Sequence, residues 1–294
     1  MAVKKPIADA ISNVEIIGPD DALGPIYDPA TVPHVEAADD WSQYAGAGME
    51  EVKATDLKMP IWRILQSGSP EQKKSALEYI QGAEEGHWFD TISKQIYVSI
   101  NFVPCKFQTH WIEWKPDQGG LVADHGASPE IMAHCKRDPE DTFKITTPAG
   151  NDLIETAMWF GIVIGGCKPP VGNQAPEEVH FLQPGLIPLS KTAMKVSKAW
   201  MSQARNIRDP FPNGAPGSYI APLFSRIWRL GSVGTKDDQY SWMLPTVSLL
   251  RKTPASLIHE CLGHKQDGEM LLCKPIETKA LAAGTGAVSS EAPF

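Results

Sequence analysis

The sequence predicts a mainly β protein with inserted helices, of the α+β class. Three observations carry that expectation. Residues 95–115, QIYVSINFVPCKFQTHWIEWK, are dense in the β-branched and aromatic residues that suit a pleated surface. Residues 219–230 (YIAPLFSRIWRL) and 239–250 (QYSWMLPTVSLL) are two more strand patterns, joined by the polar linker GSVGTKDD, and read as an antiparallel hairpin. Residues 190–206, SKTAMKVSKAWMSQARN, are the strongest helical stretch.

Along the chain, residues 1–52 are rich in Asp, Pro, Gly and Ala without periodicity and read as an acidic, mostly irregular arm. Residues 54–66 hold a short apolar element, limited by Pro60. Ser69 as N-cap and Pro70 at the first helical position predict a helix to about Tyr79. In the 95–115 run, Pro104 splits or bends the strand. Beyond it Phe107, Thr109, Trp111 and Glu113 share one face, and Gln108, His110, Ile112 and Trp114 the other. Met158–Ile164 is wholly apolar and reads as a buried strand. Another strand is expected from Val179 to Gln183, ending at Pro184-Gly185. On the helix at 190–206, Met194, Ala199 and Met201 are expected to face inward, while Lys191, Lys195 and Lys198 fall at i, i+4 and i+7 with Arg205 nearby. A last helix is expected over 254–264, with Thr253 as cap, Pro254 at its start and Gly263 at its end. The domain plan is thus an arm (1–52), a core domain (53–276) and an Ala/Gly-rich disordered tail (277–294).

Composition narrows the function. A chain of 294 residues with 42% hydrophobic and 21% charged residues affords a sizeable core. No apolar run approaches the roughly 20 residues of a membrane helix, and the N-terminus lacks the apolar centre of a signal peptide. Five scattered cysteines (105, 135, 167, 261, 273) do not form a disulfide framework, so the cytoplasm is the expected compartment. The net charge of −8 is uneven: residues 1–52 hold ten of the 35 acids and two of the 27 bases. Residues 53–294 are therefore neutral overall, and the total does not exclude a basic groove there.

Aromatics interleaved with bases recur on the strands: Lys106, Phe107, Trp111, Trp114, Lys115, Arg226, Trp228, Arg229, Tyr240 and Trp242. Single-stranded nucleic acid is held this way, since every base offers a π-face and Lys or Arg tracks phosphates without reading sequence. About half of these aromatics should instead fill the core, because one face of each strand is buried. The stripe Lys191, Lys195 and Lys198, with Arg205 nearby, has no intervening acid and is the stronger phosphate-tracking candidate. Chemistry finds little support. His259 and His264 are five apart, where a zinc-protease helix needs four, and no C-x-x-C pair backs a zinc site around His259–Cys273 with Cys261. Phosphate-binding glycine loops and nucleophile elbows are absent. Neither catalysis nor a cofactor is expected. The chain ends in Glu291, Pro293 and Phe294, an aromatic with a free carboxylate on a tether, suited to a partner's pocket.

Gly48-Met49-Glu50-Glu51 with PIWRILQSGSPE, then VPCKFQTHWIEWKP, then PLSKTAMKVSKAWMSQ, resemble a family of bacteriophage proteins described as single-stranded DNA-binding replication proteins. The resemblance spans about residues 46–250. It implies an oligonucleotide/oligosaccharide-binding (OB) β-barrel with a helix inserted between strands and long loops. The C-terminal tail is similar to that of single-stranded DNA-binding proteins, although its acidic cluster is reduced to Glu291. The expected function is sequence-tolerant binding of single-stranded DNA in phage replication or recombination, with the tail meeting a polymerase, helicase or nuclease. The rival expectations are a virion or assembly protein making protein contacts, and a zinc-dependent enzyme.

Overall fold

A computed structural model describes residues 59–272, apart from 117–119, 128–129, 140–143, 171, 173–174 and 237–239. The acidic arm and the tail, with Glu291, Pro293 and Phe294, lie outside the described residues. The strands are β1 (Trp62–Ile64), β2 (Trp88–Asp90), β3 (Ile96–Tyr97), β4 (Ser99–Trp114), β5 (Leu121–Asp124), β6 (Lys136–Arg137), β7 (Ile145–Thr146), β8 (Asp152–Lys168), β9 (Glu177–Val179) and β10 (Gln183–Ser190). Helix α1 (Ala193–Asn206) follows, then β11 (Arg208–Pro210), β12 (Ser218–Ile220), β13 (Arg226–Lys236), β14 (Ser241–Lys252) and helix α2 (Ile258–Leu272).

The fold is mainly β with two helices, and its large sheet curls into an antiparallel half-barrel. Its central ribbon is the long pair β4–β8. β13 joins the first part of β4, and β14 joins β13. On the far edge of β8 lie β7, β10 and β9 in turn. The order across the middle is thus β14-β13-β4-β8-β10. Among the described residues β10 and β14 share no ladder; α1 packs against both.

Each face of the ribbon is buried, for a different reason. On the concave face Ile100, Phe102, Trp159, Val163, Trp228 and Leu230 share one core cluster with Trp200 of α1. On the outer face Val103, Cys105, Ile162, Ile164 and Ile227 lie under Cys261 of α2 and the neighbouring Leu257, with Ile112, Trp114, Met158 and Phe160 continuing the layer. The register shifts between Pro104 and Lys106, so the proline bends the strand as its sequence position implies. Gly161 fits beneath that bend: a Cβ there would stand 2.1 Å from the Val103 carbonyl oxygen.

Several expected elements are placed otherwise. The strand expected to stop at Pro184-Gly185 begins there, because β10 is an edge strand of the half-barrel. The Leu186 N–H points away from β8, to the Pro60 carbonyl at 2.9 Å. By alternation Pro184 and Pro188 occupy positions whose N–H would also point outward, so they interrupt no bond to β8. The helix expected over 69–79 is a single 3-10 turn, Pro70–Gln72. The Ser69 hydroxyl accepts from Gln66 N–H instead of capping, and Leu77 is fully exposed, so no apolar stripe exists to hold a helix. Residues 218–220 pair with β11 rather than opening the β13–β14 hairpin. The last helix passes through Gly263 without stopping. The edge of β14 is covered by a side chain: the Gln66 amide donates to the Met243 carbonyl (3.1 Å), and the Met243 N–H donates back to it (2.8 Å).

Candidate nucleic-acid interface

Helix α1 turns inward Met194, Ser197, Trp200 and Ala204. Trp159 and Trp200 stack with ring centroids 3.8 Å apart, and the Trp159 indole N–H donates to Ser197 Oγ at 2.8 Å. Phe102 and Trp228 meet Trp200 edge-on. Such pairs contribute roughly 0.5–1.5 kcal/mol each beyond the area they bury. This anchoring leaves Lys195, Lys198, Ser202 and Arg205 exposed along the outer side of α1, with Lys191 exposed just before it. Lys191 takes a left-handed backbone, φ 50°, at the turn out of β10. The helix carries no acid, and neither do β10 and β14, which it packs against.

The remaining sequence candidates divide. Phe107 and Trp111 are half-buried on the concave face, the face α1 covers; Phe107 packs on Trp159 at 4.8 Å, and Trp111 stands opposite Glu155. Thr156, beside Glu155, pairs with Ser190, the residue before Lys191. Trp111 and Lys191 therefore lie at one end of the half-barrel, about 10 Å apart by strand spacing. Trp228 and Trp114 are buried in the two cores. Arg226 is buried, bonding Asp209 through both terminal nitrogens (2.7 and 3.2 Å). Arg229 is paired with Glu178 at 2.8 Å, and its Nε–H donates to Asn101 at 3.2 Å. Lys106 is half-buried at the bulge, opposite Phe160. Lys115 and Tyr240 are exposed in the β4–β5 and β13–β14 connections, and Trp242 is half-buried. The structure thus gathers Lys191, Lys195, Lys198 and Arg205 with Trp111 nearby, and separates the rest.

Several polar clusters had no sequence signal, because their members are far apart in the chain. Glu113 accepts from Asn151 (2.7 Å) and Thr147 (3.0 Å) and pairs with His125 Nε2 (2.8 Å). Burial would raise its carboxyl, but these bonds outweigh that and hold it below the usual range. His110 Nδ1 meets both oxygens of Asp124, at 2.9 and 2.8 Å. The Cys105 thiol is pushed up by its contact with the Cys261 thiol and by burial. Asp209 is held low by Arg226 first, with Lys252 at 3.0 Å adding to it. Among the described residues no three His, Cys, Asp or Glu side chains form a metal-ligand set. None of their helices is long and apolar enough to cross a membrane.

Fold and face together define a mainly β, half-barrel protein with one single-signed helical ridge. Residues 30–261 match the Pam3 phage gp34-like protein family, and the chain belongs to that family. It is thereby a bacteriophage protein. No curated protein and no solved structure matches the chain.

Proposed function

We propose that this protein binds single-stranded DNA with little sequence preference, in phage replication or recombination, and performs no catalysis. The observation that carries the reading is the ridge of Lys191, Lys195, Lys198 and Arg205: three exposed cations on α1 and a fourth just before it, with no acid on the helix. A run of cations along one side of a helix suits the repeated charge of a phosphate backbone and reads no bases. The fold supports it. Three strands in sequence (β4, β8, β10), a helix, then a hairpin (β13, β14) returning beside the first strand is the order expected of an OB barrel, here left open between β10 and β14. Fold alone would not carry the function.

One feature of OB proteins has to be relocated in this reading. They hold oligonucleotides on the face of the second and third strands and on two loops. Here the outer face of β8 is apolar and lies under α2. The proposed path therefore follows α1, with Trp111 at the end where Lys191 lies. The Phe294 tail would serve replication partners.

Titration of the full chain with oligo-dT at rising salt tests the proposal. Tryptophan fluorescence should quench, and log K should fall with log salt with a slope of about −3, four phosphates at roughly −0.7 each. Absence of both signals overturns the reading.

A further inference from the structure

Helix α1 does not end at open solvent. It runs through Ile207 into the β11–β12 hairpin, where every residue from 210 to 220 is exposed. Two aromatics stand on this hairpin. Phe211 is 40% and Tyr219 37% exposed, with ring centroids 5.7 Å apart and planes tilted 36°. Ile220, 51% exposed, lies beside them in sequence. Large apolar side chains held together in water at a loop tip mark an interaction site more often than single exposed ones do.

The hairpin is tied to the sheet at its base. Asp209, on β11, bonds buried Arg226 and also Lys252, tying the hairpin to β13 and β14. Ala221 N–H donates to the Ile207 carbonyl at 3.0 Å, closing the hairpin just beyond β12. At its far side Gly217 has φ +108°, and the space where its Cβ would sit is 3.5 Å from the Phe211 ring. The loop thus lies against that ring, in a backbone region that disfavours side chains. Along the chain the ridge of α1 runs on to this hairpin, with Arg205 in the last turn and exposed Arg208 opening β11.

We propose that Phe211 and Tyr219 are the stacking platform of the nucleic-acid path, receiving a base of a single strand whose phosphates follow Lys198, Arg205 and Arg208. The assignment rests on the single-strand-binding reading of the same ridge. Its chemistry is charge complementarity along the helix followed by a sequence-tolerant π-contact. A tilted pair of rings presents a π-face to an unstacked base and none to a base inside a duplex.

The test compares oligo-dT with an abasic oligomer of equal length, which keeps the phosphates and lacks the bases. The full chain is used as wild type, as Phe211→Leu/Tyr219→Leu, which keeps apolar bulk without a π-face, and as Lys195→Glu/Lys198→Glu. Circular dichroism checks that the exposed substitutions leave the fold intact. The hairpin variant is expected to lose about tenfold in affinity for oligo-dT, one stacked base, and to keep wild-type affinity for the abasic oligomer. The ridge variant is expected to lose affinity for both. Equal oligo-dT binding by wild type and the hairpin variant overturns the platform while leaving the ridge reading in place. No binding by the wild type overturns both.

Discussion

The two helices cover opposite faces of the same β4–β8 ribbon, yet they are built differently. α1 inserts Met194, Trp200 and Ala204 into the larger core and fixes Ser197 to an indole. The described part of α2 buries only Cys261, while Ile258, His259, Glu260, Leu262 and Lys265 are exposed. The outer side of α1 carries one sign of charge; α2 mixes Glu260 with Lys265. A helix fixed from within can specialise its outer face, because none of its outward residues is needed to hold it. The described part of α2 contributes few apolar groups to a layer the strands already provide, so its hold on the sheet is expected to be weaker.

The largest effect should come from Trp200→Ala. Removing this indole leaves Trp159, Phe102 and Trp228 facing a void, and such changes cost about 3–5 kcal/mol. Thermal or urea unfolding would show it. A loss under about 1 kcal/mol would mean that α1 is no better anchored than α2, and the comparison would fail.

Next in size is the ion cluster where β11, just after α1, meets β13 and β14. Asp209→Asn leaves buried Arg226 without its charged partner, at an expected loss of about 2 kcal/mol near neutral pH. The sign with pH follows from the lowered carboxyl of Asp209. Its contribution is present above about pH 4, the ordinary carboxylate value, and is lost as pH falls through the lower folded value. The wild type should therefore lose stability below about pH 4 more steeply than Asp209→Asn. Parallel acid profiles would show that the cluster does not brace this junction.

Reversing two ridge charges, Lys195→Glu/Lys198→Glu, should leave the melting temperature near wild type, since both side chains are solvated. Affinity for oligo-dT should fall at least tenfold, and the salt slope should shrink by more than one unit. A lower melting temperature with unchanged affinity would assign the ridge to folding and remove the main support for single-strand binding.

Much of this architecture was legible in the sequence. The β-branched run at 95–115 gave β4, the apolar run at 158–164 gave the middle of β8, and the lysine spacing gave the outward side of α1. What escaped was long-range. Alternation separates Phe107 and Trp111 from Ile112 and Trp114, yet only the two covering helices decide how deeply each face is buried. Proline read as a strand stop at 184 because the group that meets this open edge, the Pro60 carbonyl on Leu186 N–H, is 126 residues earlier in the chain than Leu186. Ser69-Pro70 read as a helix start because a cap is local, whereas the missing apolar stripe around exposed Leu77 becomes decisive only in three dimensions. Arg226 belonged to the basic-aromatic pattern until Asp209 took it into an ion pair.

The smallest expected effect discriminates most finely between the two helices. Gly263 sits inside α2, its Cβ position is free of any atom within 4 Å, and its φ is not in the left-handed range. Gly263→Ala should therefore stabilise α2 by up to about 1 kcal/mol, the propensity difference between the two residues. Where that gain appears is the informative part. If α2 opens from the sheet on its own, amide exchange within 258–272 should slow roughly fivefold while the global melting temperature stays put. If α2 unfolds only with the barrel, the same substitution should raise the melting temperature by about 2–4 °C. The first outcome would make α2 a separable cover over the outer apolar face. The second would show that Cys261 and Leu257, few as they are, bind that helix into the cooperative core, and the contrast with α1 would then be one of surface charge alone.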